Sequence, residues 1–209
     1  MAFVLTIIAV ALILFAAEYL ARKTKMHAEL TRKFVHMMVG IFVAFWPFFL
    51  TWKEIEMLSI GFFVVILLSI RYTIFTAIHT TPRRAVGEIS FAMVIGFLAL
   101  LSSSKYIFMA SMLCLGIGDA MAAIIGLLKG DNNQYKVFGK TKSIAGTSAF
   151  FVCAVLVMVL YVALSDSNGG FMTLVLVPLL ATATENVAVN GTDNLIMPLL
   201  IALVLGGSS

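Results

Sequence analysis

The segment Gly116-Ile117-Gly118-Asp119-Ala120 places a carboxylate near the middle of an apolar run that extends from Tyr106 to Leu128. An ionisable group at such a position costs ~3 kcal/mol or more on insertion scales unless water, a partner or a metal ion compensates it. At helical spacing Asp119, Ala123, Gly126 and Gly130 share a face of small residues, which another backbone or a ligand can approach closely. Asp119 is therefore expected in a site, either holding a metal ion or accepting a proton. The competing reading is a buried acid paired with a neighbouring helix, Arg71 being one available partner. Gly118, Ala122 and Gly126 also repeat at four-residue intervals, which alone indicates only helix packing.

Ten residues beyond that run, Gly139-Lys140-Thr141-Lys142-Ser143-Ile144-Ala145-Gly146-Thr147 collects lysines, hydroxyl side chains and glycines at the membrane surface. The composition suits a phosphate: glycines let backbone amides reach anionic oxygens, Lys140 and Lys142 supply charge, and Ser143 or Thr147 at a helix start adds donors near a positive dipole end. It is not a P-loop, because Gln134 stands where the earlier glycine is required and no strand is expected before it. A basic loop resting on anionic lipid accounts for the composition equally well.

Arg32, Lys33, His36 and Gly40 open the second apolar run on one helical stripe. By themselves they describe a solvated basic collar and a packing histidine; a catalytic role for His36 requires convergence with Asp119. Glu88, Glu185, Asp193 and Asn194 fall on the same side of the membrane. Acids facing a lysine-rich phosphate segment are what a magnesium nucleotide needs, although Glu88, Asp193 and Asn194 serve equally as helix caps.

The elements that must position these residues are dictated by composition. Of 209 residues, 62% are hydrophobic and 11% charged, and the mean hydropathy is +1.09. That leaves too little polar surface to coat a soluble globule, so the bilayer is the solvent. Apolar runs at Phe3 to Ala21, Phe34 to Leu50, Met57 to Ile78, Ile89 to Leu101, Tyr106 to Leu128, Ser148 to Leu164, Phe171 to Val189 and Leu195 to Leu205 predict an all-α, polytopic bundle of about eight helices. The fourth and eighth are short, or partly re-entrant. Residues 1–209 form a single membrane domain, with the first run retained as a span. Cys114 and Cys153 lie within apolar runs and read as packing residues.

Arg22, Lys23, Lys25, Arg32, Lys33, Arg83, Arg84, Lys129, Lys136, Lys140 and Lys142 fall on one side and Lys53 and Lys105 on the other, with Arg71 left inside the third run. The positive-inside tendency then puts the first, third, fifth and seventh loops in the cytoplasm and both termini outside. The net charge of +4 thus reports topology, and no nucleic-acid partner is expected.

In Arg-Lys-x-x-His, Gly-Asp-x-x-Ala-x-x-x-Gly and Lys-Ser-x-x-Gly the sequence resembles the polyprenol kinase family, which includes dolichol and phytol kinases. The residues are Arg32, Lys33 and His36; Gly118, Asp119, Ala122 and Gly126; and Lys142, Ser143 and Gly146. Glu185 followed by Asp193-Asn194 and Pro198 is similar to the family's closing pattern. The resemblance implies CTP-dependent, magnesium-requiring phosphorylation of an isoprenoid alcohol at the cytoplasmic face of a membrane, which is the plasma membrane in a prokaryote and the endoplasmic reticulum or a plastid in a eukaryote. With it, Asp119, Lys142 and His36 are the expected catalytic residues. Arg32, Lys33, Lys140, Ser143, Gly146 and Thr147 are the expected phosphate-binding residues, and Asp119, Glu185 and Asp193 the expected magnesium ligands. Membrane lipids, the lipid alcohol and CTP are the expected partners. Ala145 stands where many members carry Glu, which leaves the acceptor open.

CDP-diacylglycerol synthase-type cytidylyltransferases resemble the chain as well, combining a membrane Asp with a Lys-Ser/Thr-x-x-Gly segment. A kinase releases CDP and a cytidylyltransferase releases pyrophosphate. A transporter is the third reading, prompted by Asp119 and Arg71 in apolar runs, but no inverted repeat is visible.

Overall fold

Each long apolar run must satisfy its own backbone in lipid and therefore coils into a helix. The computed structural model describes residues 1–23, 28–72, 82–102, 104–129, 133–167, 169–189 and 191–207, with the backbone alone at 17, 20–22, 28 and 82–85. Lys25 and Gly130 lie outside the described residues, as do the side chains of Arg22, Arg83 and Arg84.

The helices run in the order α1 (Ala2–Lys23), α2 (Ala28–Ala44), α3 (Trp52–Tyr72), α4 (Pro82–Leu101), α5 (Lys105–Leu113), α6 (Ala120–Lys129), α7 (Ile144–Ser165), α8 (Val177–Val187) and α9 (Asp193–Gly206). A π-helical segment, Cys114–Asp119, joins α5 to α6. The three form one rod, Lys105–Lys129, so the described residues make up eight helical rods, as the apolar runs predict. Among the described residues, Trp52–Tyr72, Lys105–Lys129 and Ile144–Ser165 are long and apolar enough to cross a membrane, and four shorter apolar helices accompany them. Arg71 falls in the last turn of α3, near the helix end, with its guanidinium 5.8 Å from the Tyr72 ring.

α5 is the axis of the bundle: Ile107 to Leu113 are all buried, against α2, α7 and α9. Phe108, Met109, Met112, Leu115, Phe150, Met158 and Met197 fill the core. Phe15, Leu68, Leu100, Leu156 and Leu203 stand exposed on the perimeter, an arrangement suited to lipid tails. Cys114 is buried and Cys153 half-buried, both free thiols, consistent with packing roles.

Two close backbone approaches set the positions of the polar residues. A Cβ on Gly40 would lie 2.7 Å from Gly116 Cα, so α2 crosses the π-helical segment nearly backbone to backbone. That crossing sets His36, one turn from Gly40, and Lys33, two turns from it, opposite Asp119, one turn from Gly116. Gly40→Ala is accordingly expected to push α2 off the rod, at an overpacking cost of about 1 to 3 kcal/mol. A lowered thermal midpoint in detergent, with reduced activity, would show it; parental values for both would mean that the crossing has slack. The second approach joins Gly191 (φ +87°) to Gly87, whose Cα would lie 2.5 Å from a Cβ at Gly191. It docks the α8–α9 turn on α4, where Asn194 Nδ2 donates to Gly87 O at 2.8 Å.

The segment between α6 and α7 departs from the expected loop. Gln134–Val137 and Lys140–Ser143 form an antiparallel hairpin, β1 and β2, turning at Phe138 and Gly139 with φ of 45° and 76°. Positive φ at both central residues is the geometry of a tight two-residue hairpin turn. Strands of four residues leave too short an alternation to be read from sequence.

Candidate functional site

At the end of the bundle that carries the hairpin, α2, α6, β2, α7, α8 and α9 surround a cleft of about 990 Å³. Arg32, Lys33, Asp119, Lys140, Lys142, Ser143, Gly146, Thr147, Glu185 and Asp193 all line it. Residues as distant in sequence as Arg32 and Asp193 thus reach one cavity.

Asp119, 5% exposed, is bonded to the Lys33 ammonium, itself 8% exposed. Its partner is therefore on α2, not Arg71 of α3. His36 Nε2 lies 3.5 Å from the same Asp119 oxygen and makes no hydrogen bond among the described residues. His36 does not line the cleft: its ring stacks edge-on against Phe91, with centroids 4.8 Å apart. Arg32 turns sideways into a two-point pair with Glu29, Nη2 to Oε1 at 2.6 Å and Nε to Oε2 at 3.2 Å. The stripe read from sequence is thus shared by Lys33, His36 and Gly40, while Arg32 faces a different neighbour.

The hairpin supplies the opposite wall. Tyr135 and Lys142 are cross-strand partners and so project from one face of the ribbon. They land on consecutive residues of α8. Lys142 Nζ pairs with the Glu185 carboxylate and donates to Glu185 O at 3.1 Å. The Tyr135 hydroxyl bonds Asn186 Oδ1 at 2.6 Å and Thr147 Oγ1 at 2.5 Å. Lys140 Nζ reaches Ala188 O at 3.4 Å. Tyr135 and Asn186 were not foreseen; their sequence neighbourhoods are unremarkable, and only strand register exposes them. Ser143 caps α7, its Oγ accepting from Gly146 N at 3.0 Å, and the α7 N-terminus with its positive dipole end opens onto the cleft.

The three expected magnesium ligands do not close into one cage. Among the described residues no group of three or more His, Cys, Asp or Glu side chains is placed to hold a metal ion. Two of the three carboxylates are already engaged, Asp119 by Lys33 and Glu185 by Lys142. Asp193 differs. It precedes the apolar run of α9, its Oδ1 is buried without a hydrogen-bond partner among the described residues, and it lines the cleft. Burial lifts its carboxyl above the ordinary aspartate range, and the negative charge of Asp119 adds to the lift. A carboxylate with one buried, unpartnered oxygen, in the same cleft as Asp119, fits magnesium, which takes one or two protein carboxylates and completes its shell with phosphate oxygens and water.

The chain is 31% identical over 209 aligned residues to the phytol kinase of Synechocystis, covering 94% of this chain and 87% of that protein. It is 32% identical over 117 residues to the uncharacterized protein RP860 of Rickettsia prowazekii, covering 55% of each. No protein-family model matches the chain, nor does any solved structure. With eight helical rods, several of them apolar enough to span a bilayer, and similarity running nearly the full length of both chains, this multi-pass membrane protein belongs to the polyprenol kinase family, which includes the phytol kinases.

Proposed function

We propose that the chain is a lipid-alcohol kinase that transfers the terminal phosphoryl group of CTP to the hydroxyl of an isoprenoid alcohol. The observation that carries the reading is the convergence of Lys33, Asp119, Lys142 and Asp193 on one cleft at the end of a membrane bundle. Similarity to a phytol kinase supports the acceptor class. In the reaction the alcohol oxygen forms a bond to the terminal phosphorus, the bridging P–O bond breaks, CDP leaves, and the hydroxyl proton goes to a base. In this reading Asp119 takes that proton once the phosphates draw the Lys33 ammonium away, which its pairing with Lys33 supports. Lys142, Lys140, Arg32 and the α7 N-terminus with Ser143 and Thr147 stabilise charge on the transferring group. Asp193, with Asp119 and Glu185 nearby, would hold magnesium, which when bound neutralises charge on the phosphate oxygens.

The test is incubation of the purified protein with labelled CTP, magnesium and a panel of lipid alcohols. Release of CDP with formation of an alcohol monophosphate is expected. Release of pyrophosphate would make the protein a cytidylyltransferase, and no turnover with any alcohol would overturn the reading.

The cleft is proposed to face the cytoplasm, on the basic asymmetry of the loops. A cysteine at Asn133, just before β1, should resist an impermeant thiol reagent added outside intact cells in a Cys153→Ser background and react after permeabilisation. Reaction from outside would reverse the orientation.

A further inference from the structure

We infer that a narrow slot on the other side of α2, between α2, α3 and α4, seats the hydroxyl-bearing end of the acceptor; the inference rests on the lipid-alcohol kinase reading. The slot holds about 70 Å³. A cavity needs about 10 to 15 Å³ to hold one water, so the slot has room for the hydroxyl-bearing end of a lipid chain and not for a nucleotide. Its shaft is apolar, formed by Val35, Val39, Phe62, Ile66 and Phe91. Its polar groups are Arg32, His36, Ser69 and Glu88. A ligand with a short polar end and a hydrocarbon body matches that division, and a nucleotide does not.

The slot and the nucleotide cleft share a wall one side chain thick. Arg32 lines both cavities. His36 lines the slot, while its Nε2 lies 3.5 Å from the Asp119 oxygen that belongs to the cleft. That nitrogen is buried and makes no hydrogen bond among the described residues, so the His36 ring separates the polar end of the slot from the Asp119 carboxylate by a single side chain. At the outer end, Val65 lines the slot and is 43% exposed on the lipid-facing perimeter, which leaves the hydrocarbon chain a way into the bilayer.

The experiment uses the full chain in lipid nanodiscs with an isoprenoid alcohol carrying a diazirine on its first isoprene unit. Photolabelled peptides are mapped by mass spectrometry, and CTP-dependent phosphorylation is measured in parallel. Labels are expected on α2 between Val35 and Val39 and on α3 between Phe62 and Ile66. Ile66→Trp, which fills the shaft, should lower kcat/KM for the alcohol at least tenfold and leave CTP affinity unchanged. Labelling confined to α7, α8 or α9, no labelling, or a folded Ile66→Trp with parental kcat/KM would each overturn the slot. If the tryptophan variant does not fold, the label positions decide. Labelling of the slot without phosphoryl transfer would uphold the slot and overturn the kinase reading; transfer with labels elsewhere would do the reverse.

Discussion

Asp119→Asn is expected to insert, fold and remain monodisperse yet lose phosphoryl transfer by about 10²- to 10⁴-fold, the contribution of a positioned general base. Asparagine keeps the size and can still accept a hydrogen bond from Lys33, but it cannot take a proton. A purely structural acid predicts the opposite outcome, because an amide costs less to bury than a carboxylate and would preserve activity while changing thermal stability. The measurement is CTP-dependent phosphorylation of a lipid alcohol by parent and variant across a magnesium titration. Reduced turnover with unchanged magnesium dependence assigns Asp119 to proton transfer, whereas a shifted dependence makes it a metal ligand. Near-parental activity with unchanged dependence would take Asp119 out of the chemistry.

The second large effect is expected at Lys142. Loss of one charge-assisted phosphate contact costs on the order of 1.5 to 3 kcal/mol, so Lys142→Ala should weaken CTP binding roughly 10- to 150-fold. Lys142 is also the counter-ion of Glu185, a residue only 4% exposed, and truncating one member of a buried pair strands the other. The double variant Lys142→Ala/Glu185→Gln separates the two effects, since it removes the stranded charge. CTP affinity should stay low in the double variant if Lys142 touches phosphate. Recovery to the parental value would reduce Lys142 to neutralising Glu185.

The helices were legible because a bilayer demands about 20 apolar residues in a row, and a run such as Ser148 to Leu164 has no other stable form there. The gathering of Asp119 with the lysine-rich segment was legible too, from the cost of an acid among apolar residues. Its partner was not. Lys33 and Arg71 are equally basic in sequence, and only the crossing at Gly40 and Gly116 selects the former. The hairpin escaped because its strands are shorter than the window in which a two-residue period can be counted, and Tyr135 and Asn186 escaped with it. His36 illustrates a different limit. Helical spacing put it on the Lys33 face correctly, yet a side chain at a boundary between two cavities cannot be assigned to either without knowing what packs behind it.

The bond between Lys33 and Asp119 joins residues 86 positions apart. At a synthesis rate of about 5 to 20 residues per second, on the order of 4 to 17 s separate the emergence of the cation from that of its anion. During that interval the partner that Lys33 has in the finished bundle is missing, and the first turns of α2 are more stable held at the headgroup level, where the ammonium stays hydrated. Arrival of the Lys105–Lys129 rod then supplies both the aspartate and the glycine surface that α2 crosses. The same pair that equips the cleft would thereby time the assembly of the bundle, drawing α2 to its final depth only after the central helix is in the membrane.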